Sequence, residues 1–388
     1  MAIKKLFFMG GVFLLFNIEL FSKRVDIVPL EDLIRKNTSI RYITCDGKIP
    51  FHFEPFPLVA NPPLYQPNEG IIHDTFVLKI PHGSVYFQKN DISGIVVADN
   101  YIVEEMMWPS KQAFFGRHRR FKLQDGFIEP LKFSVRLAVL TQECAGCYGH
   151  WLIEILGRLA LLERYGVEYD ALYVPQDHAF QRDSLALWGI DPEKIVNSSG
   201  VELVRADELI VPSLVCRKHP ALGREPLCCM YAMPWIIDYV RNKFLPLLLQ
   251  QPSENMYSKK IFISRQGAGM RRVINEDEVF ALFESLGFVR YHTDQLSFLE
   301  QVRLFFQAEV VVSPNGSGLT NVIFCKPETF VVELFQARGD CTFFYLSQMC
   351  GLKHVCVQTT DFDQKGGFFD THMPLPIIQK VIDDLLRG

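Results

Sequence analysis

The chain has 388 residues, of which 48% are hydrophobic and 22% are charged, and its formal net charge is −4. At about 100–200 residues per domain, this length favours two globular domains, each with a core of its own. The weakly acidic balance argues against nucleic acid as a partner, because nucleic acids are bound through clustered Lys and Arg. Ten cysteines without dense, regular spacing argue against a disulfide framework.

The N-terminus has the pattern of a targeting segment. Lys4 and Lys5 precede an apolar run over residues 6–16, and a basic pair follows at residues 23 and 24. The run is shorter than the roughly 20 apolar residues of a membrane span, and no A-x-A cleavage site follows it. We therefore expect residues 1–24 to be a signal peptide or short membrane anchor, and the protein to be exported or membrane-associated. A peripheral cytoplasmic location and an apolar first element of the fold are the alternatives.

The first half opens with a proline-rich, loop-like segment and then alternates strand and helix patterns. Such alternation predicts a parallel sheet covered by helices. The polar segment at residues 250–255 is the best linker candidate, so we expect domains over 25–250 and 256–374, followed by a C-terminal helix over 375–388. The predicted strands are 84–87, 94–98, 134–140, 171–174 and 208–211, and the predicted helices are 148–165, 180–188 and 232–249.

The second half alternates more regularly and has the outline of a doubly wound open sheet. Two of its helix starts carry capping chemistry, because Asn275 with Glu278 and Ser297 with Glu300 have the spacing of a capping box. The predicted strands are 260–263, 288–290, 309–313, 330–334 and 354–357, and the predicted helices are 276–286, 298–307, 319–325 and 375–386.

A glycine-rich turn follows the predicted strand 309–313. In open α/β sheets, ligands bind outside the carboxyl ends of the strands, where helix N-termini present unpaired N–H groups. Two glycines allow a close approach of the backbone, and the hydroxyls beside them suit a diphosphate. Taken alone, the turn is explained better as a bend that needs glycine. Its candidate residues are Asn315, Gly316, Ser317, Gly318, Thr320 and Asn321.

A second strand end carries Ser264 and Arg265, with Arg271 and Arg272 close behind. An arginine in this place can donate two hydrogen bonds to a phosphate. For Arg265 we favour a ligand contact. For Arg271 and Arg272, ligand binding and a solvated basic loop are equally good interpretations.

The predicted helix 148–165 carries a stripe of polar residues. His150, Glu154 and Arg158 recur every four residues on a helix that is otherwise nearly all apolar. Burying three polar groups is costly unless they pair or face a cleft. Glu154 could orient His150 as a general base that removes a proton from an acceptor hydroxyl. A core histidine satisfied by Glu154, with an ion pair from Glu154 to Arg158, explains the pattern equally well.

Two further motifs carry little weight. Cys144 and Cys147 have C-x-x-C spacing but lack a second ligand pair, so two incidental thiols are preferred. The only D-x-D, at residues 361–363, lies late in the chain beside a polar turn. We therefore predict no essential metal.

Together these motifs resemble those of glycosyltransferase family 61. The similarity runs from Tyr148 to Phe335, with several motifs in order along the chain. The family usually carries His where this chain has Asn315, and Pro where it has Gly157. The motifs are Tyr-x-His-Trp-x-x-Glu-x-x-x-Arg at 148–158, the strand end 263–265, the pairs 271–272 and 275–276, the segment 296–301, the turn and helix 316–321, and residues 332–335.

The resemblance implies a GT-B fold, in which two Rossmann-like domains face a cleft and a C-terminal helix returns to the N-terminal domain. It also implies an inverting, metal-independent transfer from a UDP-linked sugar, a co-substrate rather than a cofactor, to a hydroxyl of a glycan, lipid-linked saccharide or protein. Residues 25–250 would then face the acceptor, and residues 256–374 would hold the nucleotide sugar. The implied catalytic residues are His150 and Glu154; the implied nucleotide-sugar residues are Ser264, Arg265, Arg271, Asn315, Gly316, Ser317, Gly318, Thr320, Asn321 and Glu333; and Tyr148, Trp151 and Arg158 would support the acceptor side or the structure.

Two other functions fit the same residues. A nucleotide-sugar epimerase also needs a two-domain cleft and an acid/base pair. A binding protein could keep the fold and lose turnover, and Asn315 gives this reading some support because an amide carries no charge and accepts no proton.

Overall fold

The computed structural model of the chain describes residues 24–52, 69–88, 92–98, 101–103, 106, 120–122, 130–142, 144–200, 203–216, 232–250, 256–335, 342–359 and 370–386. Residues 1–23 of the expected targeting segment, most of the expected linker and the D-x-D at 361–363 lie outside these ranges. Within them, no helix combines the length and the apolar character needed to cross a membrane.

The first half is built on a mixed sheet. Its spatial order is β12-β11-β10-β13-β6-β7-β8-β1-β9, with β5 pairing with both β13 and β2, while β3 and β4 form a separate ribbon. The strands are β1 Arg24–Val28, β2 Arg41–Asp46, β3 Ile49–His52, β4 Glu69–Ile72, β5 Thr75–Pro81, β6 Ser84–Gln88, β7 Ile92–Ala98, β8 Tyr101–Val103, β9 Arg120–Lys122, β10 Leu131–Val139, β11 Ala171–Val174, β12 Ile195–Asn197 and β13 Leu203–Pro212.

Only part of this sheet has the expected parallel arrangement. The block β12-β11-β10-β13 is parallel throughout, whereas β5 and β6 join β13 in antiparallel pairs. The connection from β6 to β7 is too short for a crossover, and such a connection can join only antiparallel strands. The prediction of an α/β fold is therefore confirmed, and the GT-B arrangement of two Rossmann-like domains stays a prediction.

The second half contains a five-stranded sheet in which every neighbouring pair is parallel. Four of its strands are mostly buried, as expected for a sheet covered on both faces, whereas the edge strand Val289–Tyr291 is only partly buried. The spatial order is β15-β14-β16-β17-β18, which is the doubly wound order 2-1-3-4-5. These strands are β14 Lys260–Ile263, β15 Val289–Tyr291, β16 Val310–Pro314, β17 Phe330–Phe335 and β18 Lys353–Gln358.

The helices agree with most of the sequence-based predictions. The predicted helix 148–165 is present, but its middle turn, Trp151–Ile155, is a π-helical turn. The predicted helix 232–249 is divided in two, with Pro246 between the parts. The segment after the glycine-rich turn is a 3₁₀ helix, Ser317–Phe324. The remaining α-helices are Leu30–Lys36, Ala179–Trp188, Pro234–Phe244, Leu247–Gln250, Glu276–Glu284, Phe298–Gln307, Thr342–Met349 and Leu375–Val381, and a last π-helical turn is Ile382–Leu386.

One of the two predicted helix caps is correct. Ser297 accepts a hydrogen bond from the Glu300 backbone, and Glu300 accepts one from the Ser297 backbone at 2.9 Å. The predicted cap at Asn275 is wrong, because its side chain bonds both the N–H and the carbonyl of Met373 instead. That contact fastens the start of the Glu276–Glu284 helix to the segment before the last helix.

The last helix packs within the second half. Ile378 and Val381 are buried in a cluster with Phe262 and Phe283. The expected return of this helix to the first half is not seen in its described part, residues 375–386.

The two halves pack directly against each other. Phe244 of the first half lies edge-on to Phe298 of the second, with ring centroids 4.7 Å apart. Arg241 donates to the carbonyl of Cys325 at 3.2 Å, and Tyr345 donates a short hydrogen bond to the carbonyl of Ala232. The helix over residues 148–164 is called the His150 helix. The packing of the two halves brings its first turn close to the second-half sheet.

Candidate functional site

The carboxyl ends of β14 and β16 lie side by side in the second-half sheet. The chain reverses direction between them, since β15 lies beyond β14 and β17 lies beyond β16. A doubly wound sheet opens a crevice at such a reversal, and ligands bind there. A cavity of about 150 Å³, the strand-end cavity, occupies this place. It is lined by Ile263, Ser264, Arg265, Gly267, Ala268, His292, Thr293, Asp294, Ser313, Pro314, Gly316 and Gly318.

Arg265 supplies the positive charge of the strand-end cavity. Its Nε donates to the carbonyl of Arg271 at 3.3 Å, and its Nη2 donates to the carbonyl of Met270 at 3.0 Å. Burial, and next the charge of Arg271, lower the pKa of the Arg265 guanidinium to about 10. The group therefore stays charged at neutral pH, and a largely desolvated guanidinium is a strong partner for an anion.

The Arg265 guanidinium occupies the space where a side chain at position 316 would lie. A Cβ built on Gly316 would lie 2.8 Å from Nε of Arg265 and closer still to Cζ and Nη1. The backbone of Gly316 is extended, with φ 167, which any residue can adopt, so a larger residue here would meet the Arg265 guanidinium and displace it. The turn is thus more than a bend, because its glycine makes room for the cation.

Glu276 fixes the end of β14. Its buried carboxylate accepts a hydrogen bond from the Ser264 hydroxyl at 2.5 Å and one from the Arg265 backbone N–H at 3.0 Å. Ser264 therefore lines the cavity while its hydroxyl is committed to the protein. The sequence signal for Glu276 was present in the 275–276 motif, but its role as an anchor was missed.

A chain of buried polar groups runs from Arg271 into the second-half core. Arg271 Nη1 donates to Asn315 Oδ1 at 2.8 Å, and Asn315 Nδ2 donates to Glu333 Oε1 at 2.6 Å. Glu333 Oε2 lies 3.0 Å from Nε2 of His354, whose Nδ1 lies 2.7 Å from the Ser347 hydroxyl. An amide suits position 315, because it presents an acceptor to the arginine and a donor to the carboxylate.

This network of polar groups changes the interpretation of Glu333. The side chain is 1% exposed, and both carboxylate oxygens have protein partners. It was expected to be a nucleotide-sugar residue, but burial removes it from contact with a ligand in this structure. His354, which the sequence analysis did not single out, closes the network from a strand two positions away from β16.

The residues in and after the glycine-rich turn differ in their access to the strand-end cavity. Gly316 and Gly318 line the cavity, whereas Asn321 is fully buried, and its Nδ2 donates to Gln301 Oε1 at 3.0 Å and to the Gly318 carbonyl at 3.1 Å. Thr320 is fully buried too, and its hydroxyl has no hydrogen-bond partner within the described ranges. Of the ten predicted nucleotide-sugar residues, the cavity is lined by Ser264, Arg265, Gly316 and Gly318.

His150 and Glu154 form a hydrogen-bonded pair at the π-helical turn of the His150 helix. Glu154 lies in the π-helical turn, a distortion often found at functional sites. Its Oε1 is 3.2 Å from Nδ1 of His150, and its Oε2 accepts a short hydrogen bond from Gln142. Burial raises the pKa of Glu154, and the charge of His150 opposes that rise. The His150 side chain is 15% exposed and Glu154 only 1%, so the pair reaches solvent through the histidine.

Arg158 and Trp151 have structural roles. Arg158 donates to the carbonyl of Pro212 through Nε at 3.1 Å and Nη2 at 2.8 Å, and through Nη1 to the carbonyl of Leu140 at 3.2 Å. These carbonyls end β13 and follow β10, so Arg158 ties the helix to two strand ends. Burial lowers the pKa of Arg158 to about 9. Trp151 is buried and donates to the Ser184 hydroxyl at 2.8 Å.

The start of the His150 helix contacts the glycine-rich turn. Cys147 Sγ lies 3.1 Å from the Ser317 hydroxyl, and the Tyr148 hydroxyl donates to Asn321 Oδ1 at 2.6 Å. Burial raises the pKa of Tyr148, which keeps the phenol neutral and able to donate. The start of the polar helix therefore lies against the segment that follows β16.

The described residues contain no group of three or more His, Cys, Asp or Glu side chains that could hold a metal ion. Cys144 and Cys147 are free thiols. Independence from metal stays a prediction about the reaction.

Comparisons with known proteins match the part of the chain that contains these residues. A family model described as Glycosyltransferase 61 matches residues 148–332, just under half of the chain. The match begins at the His150 helix and ends within β17, so it includes both strand ends.

Among curated proteins, the chain is similar to EGF domain-specific O-linked N-acetylglucosamine transferases. It is 22% identical to that of Mus musculus over 101 residues. This match covers 25% of this chain and 19% of the mouse protein. It is 22% identical to that of Rattus norvegicus over 119 residues. This match covers 29% of this chain and 23% of the rat protein. The match thus spans about a fifth of the length of these relatives. The resemblance to glycosyltransferase family 61 is therefore confirmed, and it rests on residues 148–332.

Proposed function

We propose that the protein is an inverting glycosyltransferase that moves a sugar from a UDP-linked donor to a hydroxyl of a glycan, lipid-linked saccharide or protein. The observation that carries the proposal is the strand-end cavity, in which a partly buried cation, Arg265, lies at the reversal point of a doubly wound sheet. The family match over the same residues supports glycosyl transfer as the chemistry.

The donor diphosphate would bind at Arg265. Its guanidinium, together with backbone N–H groups at Gly316 and Gly318, would offset the charge that develops on the leaving diphosphate, an electrostatic contribution that often dominates such catalysis. Arg271 would stand behind it, held by Asn315.

The acceptor hydroxyl would be deprotonated at the His150 and Glu154 pair. If Nδ1 of His150 donates to Glu154, the lone pair of the neutral ring lies on Nε2, which can take the hydroxyl proton. The acceptor oxygen then bonds to the anomeric carbon as the bond from that carbon to the diphosphate oxygen breaks, which inverts the configuration. Glu154 would stabilise the imidazolium that forms.

A transfer assay tests this proposal. The full chain is incubated with a panel of UDP-sugars and glycan, lipid-linked and peptide acceptors, and product and released UDP are measured. We expect transfer with at least one donor, and a loss of about 100-fold or more in His150→Ala. Normal turnover by both His150→Ala and Glu154→Ala would refute the assignment of the base, and release of an isomerised donor without transfer would refute transfer itself.

The family match gives no support to the epimerase or to an inactive binding protein. Asn315, which had favoured loss of turnover, has a structural reason to be an amide, because it joins Arg271 to Glu333.

A further inference from the structure

A second cavity of about 380 Å³, the interface cavity, lies between the two halves of the chain. From the first half it is lined by the start of the Ala179–Trp188 helix, and from the second half by the segment before and at the start of the Phe298–Gln307 helix. None of the earlier sequence arguments pointed to it, because its walls come from segments more than 100 residues apart. The side chains used in the following argument are Tyr148, His178, Phe180, Asp183, Asp294 and Phe298.

Aromatic rings form one side of the interface cavity. His178 and Phe180 stack with centroids 5.2 Å apart and planes at 7°. Phe180 also meets Tyr148 edge-on, with centroids 5.2 Å apart and planes at 77°. These contacts fix the rings, and Phe180 is only half-buried, so a face of the cluster is available to a ligand. Fixed rings with a few polar groups beside them are typical of small-molecule sites.

The charged groups of the interface cavity are carboxylates. Asp183 and Asp294 line it, and no Lys or Arg does. Asp183 is partly buried and Asp294 is exposed, so a ligand in the cavity can reach both carboxylates. A phosphate or carboxylate ligand would be repelled here, whereas hydroxyl groups would find strong acceptors. The strand-end cavity differs, because it is lined by the guanidinium of Arg265 as well as by Asp294.

The two cavities are adjacent. Thr293, Asp294 and Gly318 line both of them. If the donor diphosphate binds at Arg265, the sugar attached to it would lie at the edge of the interface cavity. The acceptor that attacks this sugar would lie there too. The first turn of the His150 helix forms part of the wall through Tyr148, so the interface cavity lies on the side of the proposed base.

We propose that the interface cavity binds an uncharged sugar ring, with the aromatic cluster against the apolar face of the ring and Asp183 and Asp294 accepting from its hydroxyls. The ring belongs either to the donor or to the acceptor, and both have the same chemistry. This inference rests on the proposed function, since it takes the diphosphate to be at Arg265.

The test compares Asp183→Asn, Asp294→Asn and Phe180→Leu with the wild-type chain. Asp32→Asn is the matched control, because Asp32 is an exposed carboxylate on the first helix, remote from the cavity in the fold. Thermal unfolding first establishes that each variant is folded, and the isosteric Asn variants keep the test valid if Phe180→Leu is unstable. Dissociation constants are then measured for UDP and for a panel of UDP-hexoses, UDP-N-acetylhexosamines and UDP-pentoses. Binding of methyl glycosides is measured by saturation-transfer NMR with UDP saturating.

Each outcome decides the matter. If the ring belongs to the donor, the cavity variants lose about tenfold or more in UDP-sugar affinity, and UDP affinity is unchanged. If it belongs to the acceptor, donor affinity is retained and methyl glycoside binding falls by a similar factor.

An equal loss of UDP affinity would overturn the inference, because the cavity would then hold the nucleotide. Unchanged binding of every sugar would overturn it as well. Both of these results leave the proposed function intact if wild type binds UDP. Failure of wild type to bind UDP or any UDP-sugar would instead overturn the proposed function, and the inference with it.

Discussion

Substitution of Gly316 by Ala tests how the glycine-rich turn and Arg265 work together. The new Cβ would lie 2.8 Å from Nε of Arg265, where ordinary contact begins at 3.4 Å, and the overlap with Cζ and Nη1 is greater. The guanidinium must therefore withdraw by more than half an ångström. Its hydrogen bonds to the carbonyls of Met270 and Arg271 restrict that movement.

The expected cost follows from what Arg265 contributes. A hydrogen bond to a charged group is worth about 1.5–3 kcal/mol. Loss of one such bond to the diphosphate would weaken UDP binding by about 10 to 150-fold. Isothermal titration of the full chain with UDP measures this directly, and thermal unfolding shows whether the variant is folded.

A control and a double mutant separate this mechanism from general damage. Gly269→Ala adds a methyl group in the same loop region where nothing lies within 4 Å, so UDP binding should be unchanged. If Gly316→Ala acts through the guanidinium, it should cost little in an Arg265→Ala background, because the two changes remove one interaction. Additive losses in the double mutant, or wild-type affinity in Gly316→Ala, would refute the reasoning.

Three further predictions concern the buried groups. Because burial raises the pKa of Glu154 above its ordinary value of 4.5, protonation of this carboxylate should lower activity on the acid side at a pH above 4.5; Glu154→Gln removes that titration, so the acid limb of kcat/KM against pH should shift, and an unchanged limb would contradict it. Glu333→Ala leaves two buried donors without an acceptor, so urea unfolding should show a loss of about 2–5 kcal/mol; a loss below 1 kcal/mol would exclude the buried network. Gly157→Ala should destabilise by about 1–3 kcal/mol despite better helix propensity, since its Cβ would lie 2.8 Å from Ile236; a gain in thermal stability would contradict this packing.

Features that depend on neighbouring residues could be predicted from the sequence. The Ser297 cap was predictable because both partners lie within one helical turn. Strands such as β14 and β16 were predictable because each is a short, largely apolar run. The glycine-rich turn was found in the same way, although its reason, the space taken by Arg265, could not be seen from spacing.

Features that depend on distant partners could not be predicted. Asn275 has cap spacing, but Met373, which is 98 residues away, takes its side chain. Glu333 lies in the carboxyl-terminal half of β17, near where a ligand residue would lie, but His354 on the adjacent strand and Asn315 together occupy its carboxylate. Asn321 is likewise used by Tyr148 of the other half.

The mixed sheet of the first half shows a third limit. Periodicity identified β6 and β7 as strands, and it carries no information on their direction. The short connection between them makes the pair antiparallel. In the same way, the interface cavity depends on how the two halves pack, which no local pattern specifies.

The most direct test of the central claim is equilibrium titration of the wild-type chain and of Arg265→Ala with UDP. The account predicts saturable binding at one site, a rise in the unfolding temperature with UDP concentration through mass action, and affinity at least about tenfold weaker in Arg265→Ala. Equal affinity in the two proteins, or no saturable binding of UDP by the wild-type chain, would contradict it.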